Sequence, residues 1–364
     1  MSTTTEHVTT EHTTTGATTP LPGTAARGGA QRVLSSRVAL LAAGSAVLLV
    51  LLCFASLAIG SQPFAPDTVI AALTHPDPNS GTDAIIGARV PRTVAGLLVG
   101  AALGLSGGVL QGITRNPLGD AGLLGINAGA AVAVVLAIFT VGVGSLTGYV
   151  WFALAGAAIA TLVIFALAGL GPGRATPLKL AITGATVNAG LASIISGVLV
   201  SSSESFDAYR QWQVGLIAGR DWEQVLVVAP FLAVGAVLAL VSGPALNGLA
   251  LGDDVARGLG QRIGLTRAVV CVGVVLLAGG ATALAGPVAF IGLVIPHAVR
   301  SLTGPDYRAV LPLCALLGPT LLLGADILGR VIAPPGEIAV GVMTAVIGAP
   351  VFIALVRRRK LGAL

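Results

Sequence analysis

Ten apolar stretches divide most of the chain, at 38–60, 92–113, 121–143, 149–170, 179–201, 224–243, 267–286, 288–303, 309–329 and 337–356. An α-helix needs roughly 20 apolar residues to cross the hydrocarbon of a bilayer, and most of these stretches are near that length. The pattern predicts an all-α polytopic membrane protein of about ten spanning helices. The eighth stretch is short, and Gly286 to Arg300 sets two prolines and two glycines in an apolar run that stops at His297 and Arg300. Interior Pro removes a backbone bond and Gly costs conformational entropy, so in water this would be a poor helix. In a membrane it reads as a broken helix whose freed groups are satisfied by neighbouring helices or a water-lined cavity. The segment 204–222 mixes charges with Trp212 and Trp222, and is expected to lie as a helix along the outer surface. Residues 1–36 are Thr-rich and open without an apolar run, and are expected to form a disordered cytoplasmic tail ahead of a membrane domain at 37–364.

Composition sharpens this picture. The chain is 55% hydrophobic and 10% charged, with a mean hydropathy of +0.93. Soluble domains carry about 25% charged residues, so a water-facing surface cannot be built from this chain. Its 50 glycines and few aromatics suit a bundle in which helix backbones come close together. Cys53, Cys271 and Cys314 each fall in an apolar stretch with no paired spacing, and are expected to be reduced packing residues.

The net charge of +5 matters through its placement. With the N-terminus inside, the inner segments hold fifteen of the 20 Lys and Arg residues, including the C-terminal run Arg357 to Lys360. The outer segments hold Arg89, Arg92, Arg210, Arg220 and Arg330. This positive-inside bias places both termini in the cytoplasm and makes a nucleic-acid role unnecessary.

The largest inner loop runs from Leu251 to Arg267. Asp253 and Asp254 favour a helix N-terminus, and Gly258 or Gly260 would end that helix after about two turns. Val255 and Leu259 would then share one face and Arg257 another. A solvated connector is the plain reading; an apolar face on so short a helix is better explained as a knob for a partner's groove. Both lysines, Lys179 and Lys360, stand outside any phosphate-cradling glycine loop, so a nucleotide-driven machine of this kind would need a separate engine. An ion-coupled transporter is the alternative class, and would need ionisable groups deep in the bilayer, whereas the acids here sit in loops and at span ends. The Ser/His/Asp, Cys/His and His-Glu-x-x-His patterns of an intramembrane enzyme are absent from the sequence.

Several blocks together resemble the type II ABC importer permeases, which import iron-siderophores, haem and vitamin B12. They are Arg89 to Arg92 running on to Gly112, Arg115 to Gly125, Trp212 to Trp222, Phe290 to Arg300, Ala325 to Arg330 and Gly348 to Ile353. The likeness extends from about residue 38 to the end; the Thr-rich N-terminal extension departs from it. It implies that fold, a dimeric pore made with a second permease copy or a paralogue, separate cytoplasmic ATPase subunits, an external substrate-binding protein and, within the chain itself, no cofactor. It also implies residue roles. Arg89, Arg92 and Arg330, which otherwise read as snorkelling anchors, would receive acidic residues of the binding protein. A coupling loop at about 251–264 would contact the ATPase through Gly252, Asp253, Ala256, Arg257, Leu259 and Gly260, with Arg115 and Asn116 beside it. Asn188 and Ser196 on the fifth span, and Thr176 before it, would line the pathway or gate. Asp326 and Glu337 are expected to pair with Arg330 or shape the docking rim, and His297 to be a packing residue. The implied cargo is an iron(III)-siderophore complex, with cobalamin or haem as alternatives, carried across a bacterial cell membrane.

Overall fold

A computed structural model describes residues 24–77, 79–143, 145–170 and 177–361. The long apolar helices are α1 (Thr24–Ala58), α3 (Gly81–Thr114), α4 (Ile126–Val141), α5 (Leu146–Gly169), α6 (Pro177–Ser201) and α8 (Trp222–Val241). They continue with α11 (Ile263–Val274), α13 (Ile291–Thr303), α14 (Tyr307–Ile332) and α15 (Val340–Leu361). α11 runs through a π-helical turn, Val275–Gly279, into α12 (Gly280–Ala285), so the three make one span. Seven of these helices are long and apolar enough to cross a membrane, and three shorter ones complete the ten expected. The short elements α2 (Pro66–Thr74), α7 (Ser203–Gln213), α9 (Gly243–Ala250) and α10 (Asp253–Gly258) lie at the bundle's two ends.

The centre of the bundle is α3, which is mostly buried and packs along α14. A glycine at every fourth position makes this possible: Gly96, Gly100, Gly104, Gly108 and Gly112 form one row on α3. Gly96 faces Leu323, Gly100 faces Gly318 and Pro319, Gly104 faces Cys314, Gly108 faces Leu311 and Gly112 faces Tyr307. Between lipid-embedded helices there is no water to expel, so close van der Waals contact of backbones is the main attraction available. A Cβ at Gly104 would fall on the Cys314 carbonyl oxygen, well inside contact distance. Gly104→Val is therefore expected to force the two backbones apart and lower stability by about 1–3 kcal/mol, the usual range for overpacking. A detergent melting curve checks this, with Gly324→Ala on α14, where an added methyl meets open space, as the control.

The structure departs from the sequence reading in several places. α1 begins at Thr24, so residues 24–36 of the expected tail continue the first span as helix; residues 1–23 lie outside the described residues. The second span begins at Gly81 rather than 92, because Ser80 accepts a hydrogen bond from Asp83 N and caps the helix there. Arg89 and Arg92 consequently sit inside α3 and not at its end. The expected helix over 204–222 stops at Gln213; Leu216 N then donates to Ala285 O (2.8 Å), and Asp221 caps α8 through Gln224 N. Tyr209 and Trp212 of α7 are buried in the protein, so this element is packed inward as well as lying at the surface. The third span starts at Ile126, after a 3-10 turn at Ala121–Leu124. The eighth starts at Ile291, after a non-helical break that opens at Gly286, where φ is +76° and a side chain would be strained.

Candidate functional site

Two polar clusters mark the opposite ends of the bundle. From the charge bias, the end carrying Arg115 and Asp253 is expected to be cytoplasmic and is called the inner end; the end carrying Arg330 is called the outer end.

At the inner end, α3 closes on Arg115 in the left-handed conformation, and Asn116 Oδ1 accepts from Leu118 N (2.9 Å) to turn the chain. This geometry aims Arg115 across to the loop after α9. Its Nε donates to Leu249 O (2.7 Å), and its Nη2 pairs with Asp253. Arg267 of α11 donates to both oxygens of the same carboxylate, at 3.1 and 3.2 Å. Asp253 thus joins α3, α10 and α11 at one point. The expected short helix starts there: α10 is six residues long, with Ala256 fully buried as its anchor. Gly260, at φ +82°, sits two residues past its end and turns the chain away. Arg257 pairs with Asp254 at 2.6 Å on the exposed face of α10. Leu251, Val255 and Leu259 are all exposed, an apolar ridge facing away from the chain's own core. The coupling residues expected from sequence, Gly252, Asp253, Ala256, Arg257, Leu259, Gly260, Arg115 and Asn116, therefore lie together.

Beside this ridge lies a neighbouring polar node absent from the sequence reading. Arg300 of α13 bonds Gln111 Oε1 and donates to the Tyr307 hydroxyl (3.2 Å), while Gln111 Nε2 donates to the carbonyls of Gly292 and Leu293. Gln111 thereby satisfies backbone groups at the start of α13, in the Pro-broken span. His297, one turn before Arg300, is buried edge-on to Phe352, as a packing residue would be.

At the outer end, the three expected docking arginines are close together but committed inward. Arg89, only 8% exposed, donates to the carbonyls of Leu57, Ala58 and Gln62 and stacks over Phe64. Arg330, 4% exposed, donates to Ser56 O, Ile59 O and Ser56 Oγ, and pairs with Asp326 at 2.8 Å. Arg92 makes a two-point contact with Asp326 (2.7 and 3.2 Å) and pairs with Glu337 at 2.7 Å. Arg89 thus sits within α3 rather than at a helix end, whereas Arg330 stands in the last turn of α14 and makes the pair with Asp326 that the sequence suggested. Desolvated guanidinium groups need several acceptors, and the carbonyls at the end of α1 and Asp326 supply them. The cluster ties α1, α3 and α14 together. Of its members, Glu337 and the edge of Arg92 remain nearest the surface.

The expected pathway residues separate. Asn188 turns into the chain, donating to Gly122 O (2.8 Å) and pinning α6 to the 3-10 turn. Ser196 lies on the open side of α6, its hydroxyl bonded to Ala192 O. Thr176 lies outside the described residues. α6 is thinly covered by the rest of the chain, and its exposed face carries Thr186, Ala189, Gly190, Ser193 and Gly197. That spacing makes a narrow stripe of small side chains along one face.

Comparison with known proteins places these features in a family. The model of the FecCD transport family matches residues 48–358. The chain is 42% identical over 320 residues to the ferric enterobactin transport system permease protein FepD of Escherichia coli, covering 88% of this chain and 95% of that protein. It is 38% identical over 320 residues to the iron(3+)-hydroxamate import system permease protein FhuB of Bacillus subtilis, covering 86% and 82%. Among solved structures, one described as an inward-facing metal-chelate type ABC transporter superposes with a TM-score of 0.76 at 29% identity, over 88% of this chain and 99% of that one.

Proposed function

The chain belongs to the FecCD transport family, and from that premise we propose that it is the membrane-spanning subunit of an ATP-driven importer of iron(III)-siderophore complexes. The observation that carries the reading furthest is the inner ridge of Leu251, Val255 and Leu259, fixed by the Asp253 junction to α3 and α11. An apolar ridge of that kind, on a scaffold with no phosphate-binding loop in its sequence, is suited to a separate ATPase subunit. Movement of that partner would tilt α10 and, through Asp253, act on the ends of α3 and α11.

Two copies would form the pore. The small-residue stripe of α6 supports this, because Gly190 and Gly197 have open space where a Cβ would stand and allow another helix to approach closely. Ser193 and Ser196 would then face the passage between copies; Asn188 would hold α6 in place rather than touch cargo. A loaded binding protein would dock on the external rim, where the edge of Arg92 and Glu337 are within reach; Arg89 and Arg330 would shape that rim from beneath. Both termini would be cytoplasmic.

The test is reconstitution. Proteoliposomes holding this chain with its ATPase, and an iron-loaded binding protein outside, should accumulate ferric siderophore only when ATP is present on the ATPase side. Uptake driven by a proton gradient with ATP absent would overturn the proposal in favour of an ion-coupled transporter. Ferric-siderophore uptake no better than cobalamin or haem uptake would overturn the cargo assignment alone.

A further inference from the structure

A groove of about 890 Å³ runs along the side of the bundle between α5, α8 and α11. It exists because α5 packs against the π turn and α12 but parts from α11 below them. Gly279 sits against Ala157 and Leu154 at the point of closest approach, and the small residues Ala155, Ala158 and Ala268 line the widening space. Trp151 and Phe231, edge-to-face at 5.5 Å, close its outer end. From Trp151 to Phe165 the groove follows four turns of α5, about 21 Å at 1.5 Å per residue. That exceeds one leaflet, half of a hydrocarbon core about 30 Å thick, and passes the midplane. Trp151, Leu162 and Val272 are exposed on its walls, so the groove opens sideways toward lipid.

Its inner end has a different character. Arg115, Arg267 and Asp253 line it, two guanidinium groups sharing one carboxylate, and both arginines are about one-third exposed. Asp254 pairs with Arg257, and among the lining residues two guanidinium groups face one carboxylate, which gives the mouth a net positive charge. A long apolar slot ending in an unbalanced cation at the cytoplasmic boundary matches one occupant: a phospholipid with an acidic headgroup. We infer that this groove holds an acyl chain of an acidic phospholipid of the inner leaflet, with its phosphate at Arg115 and Arg267. The site is separate from the cargo passage proposed along α6. It shares Asp253 with the inner ridge, so a bound headgroup would compete for the cations that hold α10, and lipid composition would set how firmly that helix is held.

The experiment uses the full chain with its ATPase in nanodiscs of phosphatidylcholine containing a minor share of phosphatidylglycerol. Detergent extraction is followed by native mass spectrometry to count retained lipids. Phosphatidylglycerol should be retained roughly tenfold over its share in the disc, a preference of about 1.4 kcal/mol. Arg267→Gln, which removes a headgroup cation, and Ala158→Phe, which fills the slot, should each abolish that enrichment. Val237→Phe, on an exposed face of α8 away from the groove, should not. If Arg267→Gln fails to fold, Ala158→Phe alone decides. Equal retention of both lipids, meaning annular lipid only, would overturn the inference; so would enrichment that survives Ala158→Phe. Enrichment found only in the monomer would also overturn it, because a second copy would then be the groove's occupant.

Discussion

Asp326→Ala will abolish accumulation of the folded chain in the membrane. The carboxylate is 2% exposed and is the one acid shared by Arg92 and Arg330, themselves well buried. Removing it strands the Arg330 guanidinium among backbone carbonyls with no compensating charge, and leaves Arg92 to Glu337 alone. Breaking a buried pair in this way costs about 3–5 kcal/mol, a large share of the roughly 5–15 kcal/mol that holds a protein folded. Asp326→Asn keeps the shape and an acceptor oxygen but not the charge, and should fall between. The paired change Asp326→Leu with Arg330→Met removes both charges and should recover much of the loss, because well-packed apolar groups often replace a buried pair without penalty. Membrane yield and detergent melting temperature measure this series. A single alanine variant that accumulates and melts like the parent would show that the outer cluster holds nothing together.

Asp253→Ala should lower ATP-coupled uptake about tenfold while leaving ATP hydrolysis largely in place. Here the arginines are about one-third exposed, and solvent screens each contact, so each of the two ion pairs is worth at most about 1 kcal/mol. Their joint loss is still enough to shift the position of α10 by a factor of about ten in population, since 1.4 kcal/mol is a tenfold change in an equilibrium. Asp253→Glu should restore part of the uptake. Uptake and hydrolysis measured on the same proteoliposomes give the ratio that matters. Unchanged transport per ATP in the alanine variant would remove Asp253 from the coupling path.

The difference in size between these two effects follows from burial, and burial is what a sequence reads least well. All ten apolar spans were legible, because hydrophobic runs report on the solvent around a helix directly. The short helix α10 was legible too: its acidic start, its glycine stop and its apolar pair are local features within a few residues. The setting of the outer arginines was legible only in part: the Asp326–Arg330 pair, four residues apart, was expected, but the other partners are remote. Arg92 meets Asp326 across 234 positions of chain, and Arg89 meets carbonyls of α1 that no side-chain pattern announces. Docking and internal pairing ask for the same residue type, so the chemistry alone does not separate them. The π turn at Val275–Gly279 carries no signature, as nothing distinguishes its residues from an ordinary apolar helix. The glycine row of α3 could have been found, since a four-residue spacing is visible in the sequence; which helix lies opposite it could not.

That row has a bearing on where the machine can bend. Main chain meets main chain at Gly100 and Gly104, and large side chains fill the notches at Gly96, Gly108 and Gly112, so the two helices have little slack through which to slide. α3 and α14 therefore behave as a single girder running the depth of the bilayer. Any stroke begun at the Asp253 junction must swing this girder whole or yield at looser joints around it. α6 packs on α4 and α5 and reaches the girder's inner tip chiefly through Asn188 and the turn at Gly122, so it is one such joint, free to move with its neighbours while the girder stays whole.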